Sequence, residues 1–264
     1  MKKQIMYQVD AFTTELFGGN PAAVCPLEEW LSDELMQSIA AENNLSETAF
    51  IVKNGDRYKI RWFTPNAEVA LCGHATLATA YVIFEILGYA RDTVVFDCLS
   101  GELRVTKQGE QLQLDFPALP YKQITASPEL IAALNVKPEA VYESTFDLLV
   151  ILSSEEQVAQ AKPNLDAIAK LQNRGVILSA LAKKTDIYSR CFYPGCDVPE
   201  DPVTGSAHCV ILPYWSERLA KIKLHARQGL KRQGELFCEM QGDRVLLSGS
   251  CRLYLEGTIM LPGA

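Results

Sequence analysis

The apolar positions of the chain fall into short blocks whose spacing switches between strand and helix. Near the start, "KQIMYQVDAF" and "PAAVCPL" read as strands, "LSDELMQSIAAENN" spaces its apolar residues as a helix does, and "TAFIVKN" and "YKIRWFT" return to strand. The most apolar stretch, "ATLATAYVIFEILGYA", contains Glu85 and falls short of the roughly 20 residues that cross a bilayer, so it predicts a core helix. Later blocks follow a similar order: "DLLVILS" predicts a strand, "NLDAIAKLQ" a helix, and "GVILSAL" and "IYSRCFY" strands.

The similar order points to an internal repeat. "FTPNAEV" at 63–69 matches "FYPGCDV" at 192–198 with an offset of 129, and "GHAT" at 73–76 meets "GSAH" at 205–208 with an offset of 132. Further on, "GELRVTKQGEQLQL" lies over "GELFCEMQGDRVLL". Two homologous halves of ordinary domain size are expected, 1–120 and 121–264, divided in the proline-interrupted stretch "DFPALPYKQITASPEL". Each half mixes strands with few, segregated helices, so the predicted class is α+β.

Composition narrows the function classes. A chain of 264 residues, 48% hydrophobic, can bury a sizeable core, and a formal net charge of −7 argues against nucleic acid or an anionic membrane as partner. "MKKQIMYQVDAF" has no sustained apolar core and no small-residue cleavage site, so a cytoplasmic location is expected. The eight cysteines show no paired spacing and read as reduced, mostly buried thiols.

The chemistry concentrates in the repeated loop. In each copy a strand ending in F-x-P gives way to a glycine-bearing turn and an apolar helix, beginning near His74 and near Ser206. Helix openings carry unpaired N–H groups and partial positive charge, and two of them facing each other across a cleft suit one substrate carboxylate. The plain alternative is a pair of well-buried strand–helix corners, with His74 a helix cap or a hydrogen-bonded core histidine. "TGSAH" lacks the G-x-S-x-G elbow of a serine hydrolase, so Ser206 reads as a capping or substrate-binding hydroxyl. Cys72, His74, His208 and Cys209 lack the paired spacing of structural zinc, so no metal is expected.

The blocks "VDAFT…FGGNPAAV", "NLSETAF", "FTPNAEVALCGHATLA" and "DPVTGSAHC" resemble, in order and over nearly the whole chain, the PhzF family of phenazine-biosynthesis-like isomerases. The resemblance implies a diaminopimelate-epimerase-like fold: two pseudo-symmetric α+β halves, each a curved, barrel-like sheet around a central helix, with the active site in the cleft between them. It implies an isomerase without cofactor that moves a proton within a small carboxylate-bearing metabolite, and a homodimer. By that resemblance Glu47 is the acid and base, His74 and Asp201 assist it catalytically, and Ser46, Gly73, Gly205 and Ser206 bind substrate.

The residues themselves bear on this assignment. A carboxylate partly removed from water has a raised pKa, which lets one group remove a proton from carbon and return it elsewhere. Related racemases use one thiol from each half; here Cys72 stands opposite Thr204, and "NRGVILSAL" has no counterpart of Glu47, so a single-base proton shift is preferred. A racemase or epimerase using Cys72 with another base, and a metabolite-binding protein that has lost the chemistry, are the alternatives.

Overall fold

In the computed structural model, which describes residues 2–262, the chain begins with strands β1 (Lys2–Ala11) and β2 (Asn20–Leu27) and helix α1 (Asp33–Asn43). Strands β3 (Glu47–Asn54), β4 (Arg57–Phe63) and β5 (Glu68–Val69) lead into helix α2 (Gly73–Tyr81). Strands β6 (Thr93–Cys98), β7 (Gly101–Gln108) and β8 (Gln111–Pro117) follow. The later part contains β9 (Tyr121–Ile124), α3 (Pro128–Leu134), β10 (Ala140–Ser144), β11 (Asp147–Ile151), α4 (Glu155–Gln160) and α5 (Leu165–Ile168). It continues through β12 (Gly175–Leu181), β13 (Ile187–Tyr193), β14 (Val198–Asp201) and α6 (Gly205–Leu219). The last elements are β15 (Lys223–Gln228), β16 (Gly234–Gln241), β17 (Arg244–Gly249) and β18 (Cys251–Leu261).

These elements form two units, Met1–Asp115 with Ser248–Ala264, and Phe116–Leu247. The chain first passes from one unit to the other between Asp115 and Phe116, where the sequence reading divides it at 120 and 121. The C-terminal strand differs from that expectation: β18 pairs antiparallel with β1 from Ala11↔Cys251 to Lys2↔Leu261 and so joins the first unit. A pairing that spans the whole length of the chain leaves no local mark in the sequence.

In the first unit β1 pairs antiparallel with β2, β2 runs parallel to β3, and β3 antiparallel to β4. β2 and the first half of β3 are buried on both faces, whereas β4 alternates buried Tyr58, Ile60 and Trp62 with the more exposed Arg57, Lys59 and Arg61. Cys25, Phe50 and Phe63 pack against Met36, Ile39 and Ala40 of α1, while their neighbours Val24, Ala49 and Trp62 are also buried. Ser32 caps α1, its hydroxyl accepting the Leu35 N–H at 3.3 Å. Helix α2 is buried from His74 to Ala80, as expected of a helix apolar on every side. Its two threonines therefore turn inward to their own helix, Thr76 Oγ1 donating to the Cys72 carbonyl and Thr79 Oγ1 to that of Ala75. A π-helical turn, Val82–Ile86, extends it, and Gly88 at φ 68° ends the run.

The second unit has β11 parallel to β12, β12 antiparallel to β13, and β13 parallel to β15. Leu130, Leu134, Val158 and Ile168 from the short helices α3 to α5 meet Leu148, Val150, Val176, Leu178 and Tyr188 of these strands. Helix α6 is largely buried, and the Trp215 indole N–H donates to Ser179 Oγ on β12 at 2.9 Å. The helix expected over "NLDAIAKLQ" is confined to Leu165–Ile168. Beyond it the chain turns back, and the Arg174 N–H reaches the Phe146 carbonyl at 2.8 Å.

Candidate active site

In the first unit, the end of one loop, one strand start and one helix start converge. Glu47 is the first residue of β3 and pairs with Ala22 on β2, while His74 is the second residue of α2. Glu47 Oε2 lies 3.2 Å from His74 Nε2, with the histidine side chain 5% exposed and the glutamate 15%. Asn20 opens β2 and is fully buried; its Nδ2 lies 3.2 Å from His74 Nδ1, and Ser46 Oγ donates to its Oδ1 at 3.4 Å. Cys72 Sγ sits 3.5 Å from the same Nδ1. Ser46, Glu47, Gly73 and His74 are thus gathered in this unit, and Gly73 supplies the first turn of the buried helix.

The order of these groups fixes the state of the imidazole. Burial pushes His74 down to about 3, so it is neutral near pH 7. The Asn20 amide nitrogen can only donate, so its contact with Nδ1 favours the tautomer with the ring proton on Nε2, which lies 3.2 Å from Glu47 Oε2 but makes no hydrogen bond among the described residues. Gly19 sets Asn20 in place: it adopts φ 55°, and a Cβ there would stand 2.0 Å from the Ala11 carbonyl oxygen.

Glu47, Cys72 and His74 also offer donor atoms within 4.8 Å of one another. The thiol contacts Nδ1 and the carboxylate lies beside Nε2, so the two address different edges of one ring. That suits a chain of proton donors and acceptors better than one shared ion.

Asp201, Gly205 and Ser206 belong to the second unit. Asp201 Oδ2 accepts the Thr204 hydroxyl at 2.5 Å, and its backbone carbonyl accepts the Gln228 amide at 3.0 Å. Gln228 in turn accepts the Thr204 N–H at 3.0 Å and donates to its hydroxyl at 2.9 Å. Three residues thereby lock the entrance to α6, where Thr204 occupies the N-cap as Cys72 does in α2. Ser206 is the second residue of its helix, the place His74 holds in α2, and its Oγ accepts from Arg174 Nη2 at 3.1 Å. Burial holds His208 at about 4, and its Nδ1 meets the Thr204 carbonyl at 2.9 Å. His208 and Cys209 are core residues of α6.

Sequence reasoning missed Asn20, Gln228, Asp147 and Arg174. Asn20 stands inside "FGGNPAAV", where the glycine before it and the proline after it were the available signal. Gln228 is distant in sequence from the loop it locks, so nothing local marks it.

Mixed sheets packed on buried helices, with a carboxylate and a neutral imidazole where a strand and a helix begin, define a protein of the isomerase and epimerase class. The chain belongs to the phenazine biosynthesis-like (PhzC-PhzF) family, whose model matches residues 9–258. A Pseudomonas aeruginosa protein named an uncharacterized isomerase is 50% identical over 255 residues, covering 97% of this chain and 98% of that one. The crystal structure of a PhzF-family protein from Enterococcus faecalis matches with a TM-score of 0.95 and 46% identity, over 98% of this chain and all of that one. A probable proline racemase from Agrobacterium radiobacter K84 is 10% identical with a TM-score of 0.64, covering 98% of this chain and 93% of that one, and shares the fold alone. The described residues include no helix long and apolar enough to cross a membrane.

Proposed function

We propose that the protein isomerises a small carboxylate-bearing metabolite by moving one proton within it, with Glu47 as the single acid and base. The Glu47 carboxylate takes a proton from a substrate carbon as that C–H bond breaks. The electron pair moves into the adjacent bond and the double bond migrates. The resulting Glu47 carboxylic acid, whose proton exchanges with solvent, then delivers a proton to the carbon at the far end, so nothing is oxidised or reduced and the number of protons on the substrate is unchanged. His74, neutral and carrying its proton on Nε2, steadies the developing charge without competing for the proton in transit. Asp201 acts through Thr204, holding the opening of α6 in shape.

The observation that carries this reading is the 3.2 Å approach of Glu47 Oε2 to a buried histidine held at about 3. A histidine that stays neutral leaves the carboxylate as the base of the pair. A metabolite screen by NMR in deuterated water tests it. A substrate should exchange one carbon-bound proton for deuterium with the wild type, and Glu47→Gln should slow that exchange at least about a hundredfold while retaining binding. Exchange at the wild-type rate in that variant ends the proposal.

A further inference from the structure

We propose that Arg190 is a positioning residue of the second unit, which through Glu200 sets Asp201 and the opening of α6. Glu200 and Asp201 are the last two residues of β14, a strand of four residues. It meets β13 at Cys191↔Asp201 and Tyr193↔Val198, with an irregularity between the two pairs. So brief and broken a ladder leaves the placement of the strand to its side chains. These leave it for different elements: Glu200 meets the Arg190 guanidinium, and Asp201 meets Thr204 at the helix entrance. Whatever fixes Glu200 therefore fixes the backbone from which Asp201 extends.

The guanidinium is engaged at every nitrogen. Nε and Nη2 donate to the two oxygens of Glu200 at 2.7 and 2.8 Å, the planar fork that arginine offers a carboxylate and lysine does not. Nη1 lies 3.0, 3.2 and 2.8 Å from the carbonyl oxygens of Val158, Ala159 and Ala161, at the C-terminal end of α4. The Phe192 ring lies 5.0 Å from the guanidinium carbon. With its side chain 5% exposed, Arg190 has no open face for a ligand, so any effect it has on a reaction passes through its partners.

Stability alone does not account for such a pair. Taking two charges out of water costs solvation that their attraction only partly returns, and apolar side chains of similar volume are often as stable in their place. What the fork adds is direction. Arg190 and Cys191 are neighbours on β13, so the strand that stands opposite Asp201 also carries its anchor. Beyond that anchor, the Thr204 hydroxyl donates to Asp201 Oδ2 at 2.5 Å, and the buried Gln228 amide donates to the Asp201 carbonyl and to Thr204 Oγ1 at 3.0 and 2.9 Å. All three bonds form only when β14 arrives in one place. The inference rests on the role given to Asp201 in the proposed function. Glu47→Gln decides that chemistry, and the Gln228 signals decide the placement of Asp201, so each can fail alone.

The test is 15N NMR of the full-length protein, comparing the wild type with Arg190→Lys, Glu200→Gln and Leu130→Ala, the last a core substitution on α3. Arg190→Lys keeps the charge and loses the fork, so it should move the Gln228 side-chain amide pair and the Thr204 and Gly205 amides, and Glu200→Gln should move the same signals. Leu130→Ala lowers stability and should leave them in place, which separates positioning from a general loosening of the core. Arg190→Met/Glu200→Met leaves no unpaired charge, so it should fold and still show the displaced signals. On a substrate that exchanges deuterium, Arg190→Lys should lower kcat at least about tenfold and change KM less than about threefold. Wild-type Gln228 and Thr204 signals in folded Arg190→Lys, equal movement in Leu130→Ala, their return in the double variant, or a wild-type kcat each overturn the proposal. If Arg190→Lys does not fold, Glu200→Gln and the double variant decide it.

Discussion

The Asn20 amide nitrogen lies 3.2 Å from His74 Nδ1, and both side chains are buried. A neutral imidazole has one proton to place, and a donor at Nδ1 sends it to Nε2, the nitrogen beside Glu47. Asn20→Ala removes that donor and frees the ring to take the other tautomer. The expected result is solvent deuterium exchange slowed by roughly 10- to 100-fold and a stability loss of about 1–3 kcal/mol from the unpaired buried groups. Asn20→Asp should instead draw a proton onto the imidazole and move the acid limb of the exchange profile upward. Wild-type exchange rates in both variants would remove Asn20 from the mechanism.

Acid should destabilise the protein well before its carboxylates protonate. His74 and His208 are held at about 3 and about 4 by burial, below the unfolded value of 6.5. Above pH 6.5 both are neutral in either state and their contribution is complete. As pH falls below 6.5 the unfolded chain takes up protons that the native one refuses, so stability drops toward pH 4 by about 1.4 kcal/mol per pH unit for each histidine. Glu47 beside Nε2 is the one counter-charge that faces His74 at contact distance among the described residues. Thermal melting between pH 4.5 and 8 should show a plateau above neutrality and a steep fall below pH 6, and His208→Gln should reduce that slope by about half. A flat profile across this range contradicts the assignment.

Much of this architecture is legible in the chain. Apolar blocks such as "PAAVCPL" and "TAFIVKN" mark strands buried on both faces, and "LSDELMQSIAAENN" marks α1 with its serine cap. Glu47 and His74 can be nominated because their motifs are local. The closure of the first unit by β18 is not legible, since nothing near Cys251 states that its partner is Ala11. Arg174 is hidden for a different reason. It is paired with Asp147, 27 residues upstream, and no motif in "NRGVILSAL" marks that partner.

Close approach at two glycines is testable through stability. Gly175→Ala sets a methyl group against the Tyr193 ring and the Phe192 carbonyl, and Gly19→Ala sets one against the Ala11 carbonyl from a left-handed backbone. Each should cost at least about 1–3 kcal/mol by overpacking, whereas Gly55→Ala, also at positive φ but with nothing within 4 Å, should cost about 1 kcal/mol. Chemical denaturation of the three variants checks the order. A Gly175→Ala loss no larger than that of Gly55→Ala would mean that the neighbours give way and close approach does not set the order.

Cys72 decides between the two acid–base schemes. Its thiol contacts Nδ1 of His74, while Glu47 addresses Nε2. A two-thiol racemase needs a second cysteine at the matching helix entrance, and α6 has Thr204 there, its hydroxyl committed to Asp201 at 2.5 Å. Under the single-base scheme proposed above, the thiol supports the imidazole and Glu47 carries the proton. Cys72→Ala should lower solvent deuterium exchange by no more than about tenfold, and Cys72→Ser, which restores a donor near Nδ1, should recover most of that loss. Measured on one substrate beside Glu47→Gln, the three rates separate the schemes. A Cys72→Ala rate as low as that of Glu47→Gln, unrecovered by serine, would give the proton-carrying role to the thiol.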